Sequence, residues 1–300
     1  MPSPPPVLEM TRAMDALAPE ASKYVIAREA EQLLNTPDAG LPNGFVVEKR
    51  RNRCYTTSRN MKPDTTIPAA PQGGAAADAP AAFFDLDGTL FDTRADLAAT
   101  VNHTRADLGL PALPLETVVG FVGQGAHYLL TNSIPECAAD ARDVRLRKSY
   151  DDLWGIFRSR YAEHCCETLE PYPGMMQTLE ELKRRGWLLG IVTNKPNFAT
   201  RLILEKFGLS GFFGGVVGGG DCPEMKPSAM PLLACAAQMG HAPAPGDWMV
   251  GDSWTDMRCA EAAGVGGAFC RFGFGRLNGA PTTAELDRFC DLLRFANPPE

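Results

Sequence analysis

The sequence predicts an α/β protein built on an open, doubly wound parallel sheet, with a block of helices inserted after the first strand. Three observations carry this. Short apolar runs end in Gly, Asp or Asn, and between them lie helix-like stretches closed by Gly, the residue a helix end favours. Residues 95–170 break that rhythm, with several helical patterns and no convincing strand. Strands alternating with helical segments imply parallel pairing through crossover helices.

Five strand candidates follow in order: AAFFDLDG from residue 81, WLLGIVTN (187–194), FFGGVVGGG (212–220), DWMVGDS (247–253) and VGGAFCRF (265–272). The helices expected between them are GMMQTLEELKRRG, NFATRLILEKFG, PSAMPLLACAAQMG and TDMRCAEAAG. Within the insertion, RADLAATVNHTRADLGL and ARDVRLRKSYDDLWGIFRSRYAEHC read as helices. Residues 68–82, PAAPQGGAAADAPAA, are small and proline-rich and read as a flexible linker. Upstream, SKYVIAREAEQLL is an amphipathic helix pattern and residues 36–67 are polar with turn formers, so the first 80 residues are expected to be largely disordered. The expected organisation is an extension over 1–80, a core over 81–94 and 171–296, and a helical domain over 95–170.

The chain has 300 residues, 45% of them hydrophobic, enough for a substantial core. Its formal net charge of -7 argues against nucleic acid or an anionic membrane as a partner. No apolar run approaches the roughly 18 to 20 residues of a membrane span. Nine cysteines, Cys165 and Cys166 adjacent and none in a C-x-x-C pair, fit reduced thiols and a cytoplasmic location better than disulfides or a zinc site. The expected assembly is a monomer or a homodimer.

Ligands of open parallel sheets bind at the carboxyl ends of the strands. Those ends present Asp85 and Asp87, then Thr193 and Asn194, then Asp252 and Asp256, and Lys226 stands just ahead of a helix. On an extended chain residues i and i+2 point to one side, so Asp85 and Asp87 face one pocket, and Gly88 lets the backbone turn away. Two carboxylates about 5 Å apart repel by about 3 kcal/mol even at an effective dielectric of about 20. A hard cation resolves this, and all-oxygen ligation suits magnesium with substrate phosphate oxygens. In such a site Asp85 attacks phosphorus to give an aspartyl-phosphate, and Asp87 moves the proton. Lys226, the Thr193 hydroxyl and backbone amides near Asn194 hold the phosphoryl oxygens. Asp252 is the third protein ligand, and Asp256 serves a metal-bound water or orients Lys226. The aspartates do not form an EF-hand loop, because Gly88 is the fourth residue from Asp85 and not the sixth.

DLDGT at 85–89, IVTN at 191–194, Lys226 in KP and GDSWTD at 251–256 resemble, in order, the four motifs of the haloacid dehalogenase superfamily of phosphohydrolases. The helical insertion resembles its cap domain, and the resemblance covers roughly residues 81–275. It implies a Rossmann-like core, Mg2+, Asp85 as nucleophile and metal ligand, Asp87 as acid/base and ligand through its backbone carbonyl, and Asp252 as the remaining ligand. FDLDGTLFDTRADLAATVN, GFVGQGA, PYPGM and GGGDCPEMKPSAMPLL look most like the phosphoglycolate phosphatases. That implies cap closure over a small phosphorylated metabolite, with Gly123, Gln124, Gly125 and His127 of the glycine loop as specificity residues. A phosphosugar mutase or a pyrophosphate or nucleotide phosphatase on the same scaffold is the alternative. A non-catalytic partner-binding protein is disfavoured, since a scaffold needs no such charge cluster. Dehalogenation is disfavoured by Asp87, because a halide leaves without a proton. Two stretches depart from the pattern: FFGGVVGGG is richer in glycine than expected, and the tail after Arg271 matches less clearly.

Overall fold

The protein is described by a computed structural model, which covers residues 45–50, 53–58, 79–138, 143–144 and 146–295. Two units divide the chain, 1–72 and 73–300. In the first, β1 (Phe45–Arg50) and β2 (Arg53–Ser58) pair antiparallel, with Phe45 opposite Ser58 and Arg50 opposite Arg53. Composition did not anticipate this hairpin. Its sequences, FVVEKR and RCYTTS, carry the β-branched and aromatic residues that strands favour. The helix pattern at 22–34 and most of the linker lie outside the described residues.

In the second unit the five expected strands are β3 (Ala81–Phe84), β6 (Leu188–Pro196), β7 (Gly215–Gly219), β8 (Trp248–Gly251) and β9 (Gly266–Cys270). They belong to a six-stranded parallel sheet in the order β10-β9-β8-β3-β6-β7. The sixth, β10 (Ala284–Leu286), lies at one edge within the tail that matched least clearly. A two-residue pairing of β4 (Phe91–Asp92) with β5 (Glu170–Pro171) closes the base of the helical insertion.

Insertion helices are α1 (Arg94–Asp107), α2 (Leu115–Val119), α3 (Gly125–Ser133) and α4 (Tyr150–His164). Helix α4 starts later than the helical pattern from residue 141 predicts. Ser149 explains the start, because its hydroxyl accepts from the Asp152 amide while the Asp152 carboxylate accepts from the Ser149 amide, a reciprocal cap. The core helices are α5 (Met175–Arg184), α6 (Asn197–Lys206), α7 (Met230–Gln238) and α8 (Trp254–Ala263).

Side chains alternate across the sheet, so each face is covered. Phe84 joins Met175, Leu179 and Leu182 of α5, Ile203 of α6 and Phe289 on one face. Phe83 joins Leu232 and Cys235 of α7 and Cys259 and Ala260 of α8 on the other. The insertion has a core of its own, with Leu97, Val101, Leu130, Phe157 and Tyr161, and Ala199 of α6 belongs to it. No described helix is long and apolar enough to cross a membrane.

Central β3 is the switch point, since the chain adds β6 and β7 on one side and β8, β9 and β10 on the other. A crevice opens where the direction of winding reverses. Just there, β6 loses register: Val192 pairs with Val217 and Pro196 with Gly219, so four steps on β6 match two on β7. Such irregularity re-aims side chains. It also accounts for the glycine excess in β7, because a Cβ on Gly219 would sit 2.6 Å from the Asn194 carbonyl oxygen.

Phe84 stacks on Phe289 with centroids 6.0 Å apart and meets Phe213 edge-on at 6.5 Å. Phe84→Ala is expected to destabilise the folded unit by about 3 to 5 kcal/mol. Urea unfolding followed by tryptophan fluorescence measures it, and a loss under about 1 kcal/mol would show that the central strand is not the packing centre.

Candidate active site

Each side chain of the site arrives from the carboxyl end of a strand in the second unit. Asp85 follows β3 directly, and its amide donates to the Val250 carbonyl (2.9 Å), so pairing with β8 runs into the site itself. Asp252 follows β8, and Asp256 stands in the first turn of α8. Asp85, Asp252 and Asp256 are all buried, with carboxylate oxygens within 4.8 Å of one another.

Gly88 is what allows this convergence. Its φ is +77°, and a Cβ there would lie 1.9 Å from Asp252 Oδ2. Glycine thus serves both the left-handed turn after Asp87 and the close approach of two chain segments.

Lys226 is buried among the acids. Its Nζ donates to Asp256 Oδ1 (2.6 Å) and to the Val192 carbonyl (2.8 Å), and it forms an ion pair with Asp85 Oδ1 at 2.9 Å. Burial alone would push this ammonium down, but Asp256 and Asp85 outweigh it and hold its pKa above the usual lysine value. Asp256 is fully committed: its other oxygen accepts from the Ser253 amide (3.0 Å) and hydroxyl (2.6 Å).

Two oxygens are left over for a cation. Asp85 Oδ1 accepts no properly angled hydrogen bond despite its burial. Asp252 Oδ2 takes the amides of Phe274 (2.9 Å) and Gly275 (2.7 Å), while its Oδ1 accepts none from the described residues. Burial first, then the nearby Asp256 and Asp85 charges, raise the Asp252 pKa well above the usual carboxylate value. A buried Asp85 oxygen whose described partner is the Lys226 ion pair, beside an Asp252 carboxylate that resists ionisation, fits a hard divalent cation held by Asp85 and Asp252.

Around Asp87 the structure supplies a residue that sequence reading missed. Lys195 Nζ donates to Asp87 Oδ1 at 2.7 Å, and both side chains lie in the pocket wall with Thr193, Asn194 and Phe198. The available signal was the lysine directly after the Thr-Asn pair at the end of β6. Thr193 Oγ1 accepts from the Lys195 amide (3.2 Å), leaving its own proton to donate. The Asn194 side chain donates to the carbonyls of Gly123 (3.0 Å) and Lys226 (2.9 Å) and accepts from the Lys226 amide (2.9 Å). It ties the glycine loop and the lysine loop to β6, and any phosphate contact from Asn194 falls to its backbone.

Of the four residues expected to set specificity, Gly123 and Gly125 line the pocket. Gln124 and His127 do not. Ala126 and Leu129, three apart, share the inward face of α3; His127 lies off that face, exposed, with its ring 4.7 Å from that of Tyr150. Phe274 and Gly275, whose amides hold Asp252, also escaped sequence reading because they lie in the divergent tail.

Residues 82–269 match the family model for haloacid dehalogenase-like hydrolases. A phosphoglycolate phosphatase of Haemophilus influenzae is 34% identical over 191 residues, covering 64% of this chain and 85% of that one. The phosphoglycolate phosphatase of Aquifex aeolicus is 33% identical over 212 residues, covering 71% and 94%. A crystal structure from Haemophilus somnus, described as a predicted phosphoglycolate phosphatase, superposes with a TM-score of 0.64 at 30% identity, covering 73% of this chain and 98% of that one.

The carboxylate arrangement makes a prediction independent of turnover. Magnesium at about tenfold its Kd should stabilise the fold by about 1.4 kcal/mol, a rise of a few degrees in Tm. Asp252→Asn, which relieves like-charge crowding, should melt no lower than the wild type without magnesium and show no shift on its addition. An equal shift in both proteins would place the cation elsewhere.

Proposed function

The chain belongs to the haloacid dehalogenase-like hydrolase family, as one of its phosphatases, and from that footing we propose that it hydrolyses 2-phosphoglycolate to glycolate and phosphate through an aspartyl-phosphate on Asp85. The observation that carries the chemistry is the burial of Asp85, Asp252 and Asp256 within 4.8 Å of one another, with Lys226 among them and Asp87 on the same pocket wall. The substrate is assigned from the relatives named above.

In the first step an Asp85 carboxylate oxygen attacks phosphorus, the bond from phosphorus to the ester oxygen breaks, and Asp87 gives its proton to the departing glycolate oxygen. In the second, Asp87 takes a proton from water as that water's oxygen attacks phosphorus. The bond to Asp85 then breaks, releasing phosphate and the free carboxylate. Asp85 and Asp252 would hold magnesium, which when bound would supply Lewis-acid neutralisation of the phosphoryl charge. Lys226, fixed by Asp256 and Val192, keeps positive charge beside the attacking carboxylate. The Thr193 hydroxyl donates its remaining proton to a phosphoryl oxygen. The aromatic wall of Phe157, Tyr161 and Phe198 limits water around the reacting groups. The eight cysteines whose side chains are described are free thiols, in keeping with a cytosolic enzyme.

Turnover of a panel of phosphorylated metabolites, with and without magnesium, tests this reading. 2-Phosphoglycolate should give the highest kcat/KM, and Asp85→Asn should lower kcat at least about a thousandfold while the circular dichroism spectrum stays that of the wild type. Faster hydrolysis of a hexose phosphate or nucleotide would overturn the substrate, and near-normal turnover by Asp85→Asn would overturn the nucleophile.

A further inference from the structure

Lys195 is a cation to which the reaction above gives no part. Its side chain is 2% exposed, and it is the sole basic residue among the described residues lining the pocket. The Nζ donates to Asp87 Oδ1 at 2.7 Å and lies 5.0 Å from the centre of the Tyr161 ring. An ammonium carries three N–H donors. At Lys226 two are met by Asp256 and Val192, and Asp85 Oδ1 stands 2.9 Å away as an ion-pair partner. At Lys195 one is met among the described residues. Leaving buried donors unmatched costs free energy, so the two remaining protons on the pocket wall call for acceptors from outside the chain.

Position identifies the acceptor. Asp87 serves the ester oxygen of the leaving group, so a cation 2.7 Å from Asp87 stands on the leaving-group side. On glycolate the carboxylate carbon is two bonds from that oxygen. The surrounding wall, Leu97, Leu129, Phe157, Tyr161 and Phe198, offers an anion no charge, and its low polarity strengthens whatever ion pair forms inside it.

We propose that Lys195 binds the carboxylate of the substrate, so that the pocket selects short phosphomonoesters whose alcohol carries a carboxylate on the adjacent carbon. The inference rests on the phosphoglycolate reading and deepens it by naming the residue that tells this substrate from others. Lys195 keeps its hold on Asp87 and adds the substrate carboxylate through its two remaining donors, bringing acid and ester oxygen together.

The test compares kcat/KM for 2-phosphoglycolate and its uncharged isostere 2-phosphoglycolamide, in the wild type, Lys195→Met and Lys195→Arg. A ratio of two substrates is independent of the fraction of folded enzyme. The wild type should prefer the carboxylate by roughly thirtyfold or more, the increment of a charge-assisted hydrogen bond. Lys195→Met should bring the preference to within about threefold, mainly through KM for the carboxylate, and Lys195→Arg should retain most of it. If Lys195→Met loses activity on both substrates equally and keeps the wild-type ratio, Lys195 merely positions Asp87 and the inference fails alone. If the wild type hydrolyses the amide as well as the acid, the phosphoglycolate reading fails and the inference with it. Should Lys195→Met not fold, competitive inhibition of the wild type by glycolate and by glycolamide decides: stronger inhibition by glycolate supports the assignment, and equal inhibition overturns it.

Discussion

Charge balance among four buried groups is the constraint on which the rest of the structure depends. Asp85, Asp252 and Asp256 converge within 4.8 Å, and Lys226 is the cation placed directly against two of them. Ionised, the three acids and one lysine leave two negative charges unmatched, the charge that a divalent ion balances. Within the quartet the partners are unequal. Asp256 commits both oxygens to Lys226 and Ser253, whereas Asp85 meets Lys226 only as an ion pair and Asp252 keeps Oδ1 without a hydrogen bond from the described residues. On the proposed reading, that asymmetry separates an anchor for the lysine from candidate ligands for a metal and leaves Asp85 able to form a bond.

The fold delivers these groups because the winding reverses at β3. Neighbouring strands β6 and β8 end beside it, so Thr193, Lys195 and Asp252 reach the crevice that Asp85 and Asp87 open. Two local devices bring them closer than a regular sheet would. The register break in β6 turns residues 193–195 inward, and Gly88 and Gly273 leave room for the Asp252 carboxylate, since a Cβ on either would come within 2.5 Å of its atoms. The insertion adds the apolar wall. Its core includes Ala199 of α6, so the insertion is packed against the helix that follows β6.

Much of this was legible in the sequence, for physical reasons. The five strands with clear boundaries are continuous apolar runs bounded by Gly, Asp or Asn, as buried parallel strands must be. The acids stood out because charge at the end of an apolar run has no packing explanation. What escaped depends on distance in the chain. Phe274 and Gly275 hold Asp252 through backbone amides, a role no side-chain pattern announces. Strand β10 has three residues and sits at an edge, too short for periodicity to register. The start of α4 was set by a cap at Ser149, which the charged run before it obscured. Lys195 reads as an ordinary polar residue until β6 bends and buries it against Asp87. His127 drew notice by lying near the glycine loop, yet helical geometry turns it from the pocket.

In the proposed mechanism the ion-balanced cluster lets Asp85 become covalently attached to phosphorus. The most direct measurement is to acid-quench the enzyme during turnover, reduce it with borohydride and sequence its peptides by mass spectrometry. Borohydride converts an aspartyl-phosphate to homoserine and spares a free aspartate. Homoserine is expected at position 85, dependent on both substrate and magnesium. Full turnover with Asp85 unmodified, or homoserine at Asp87 or Asp252 instead, would contradict it.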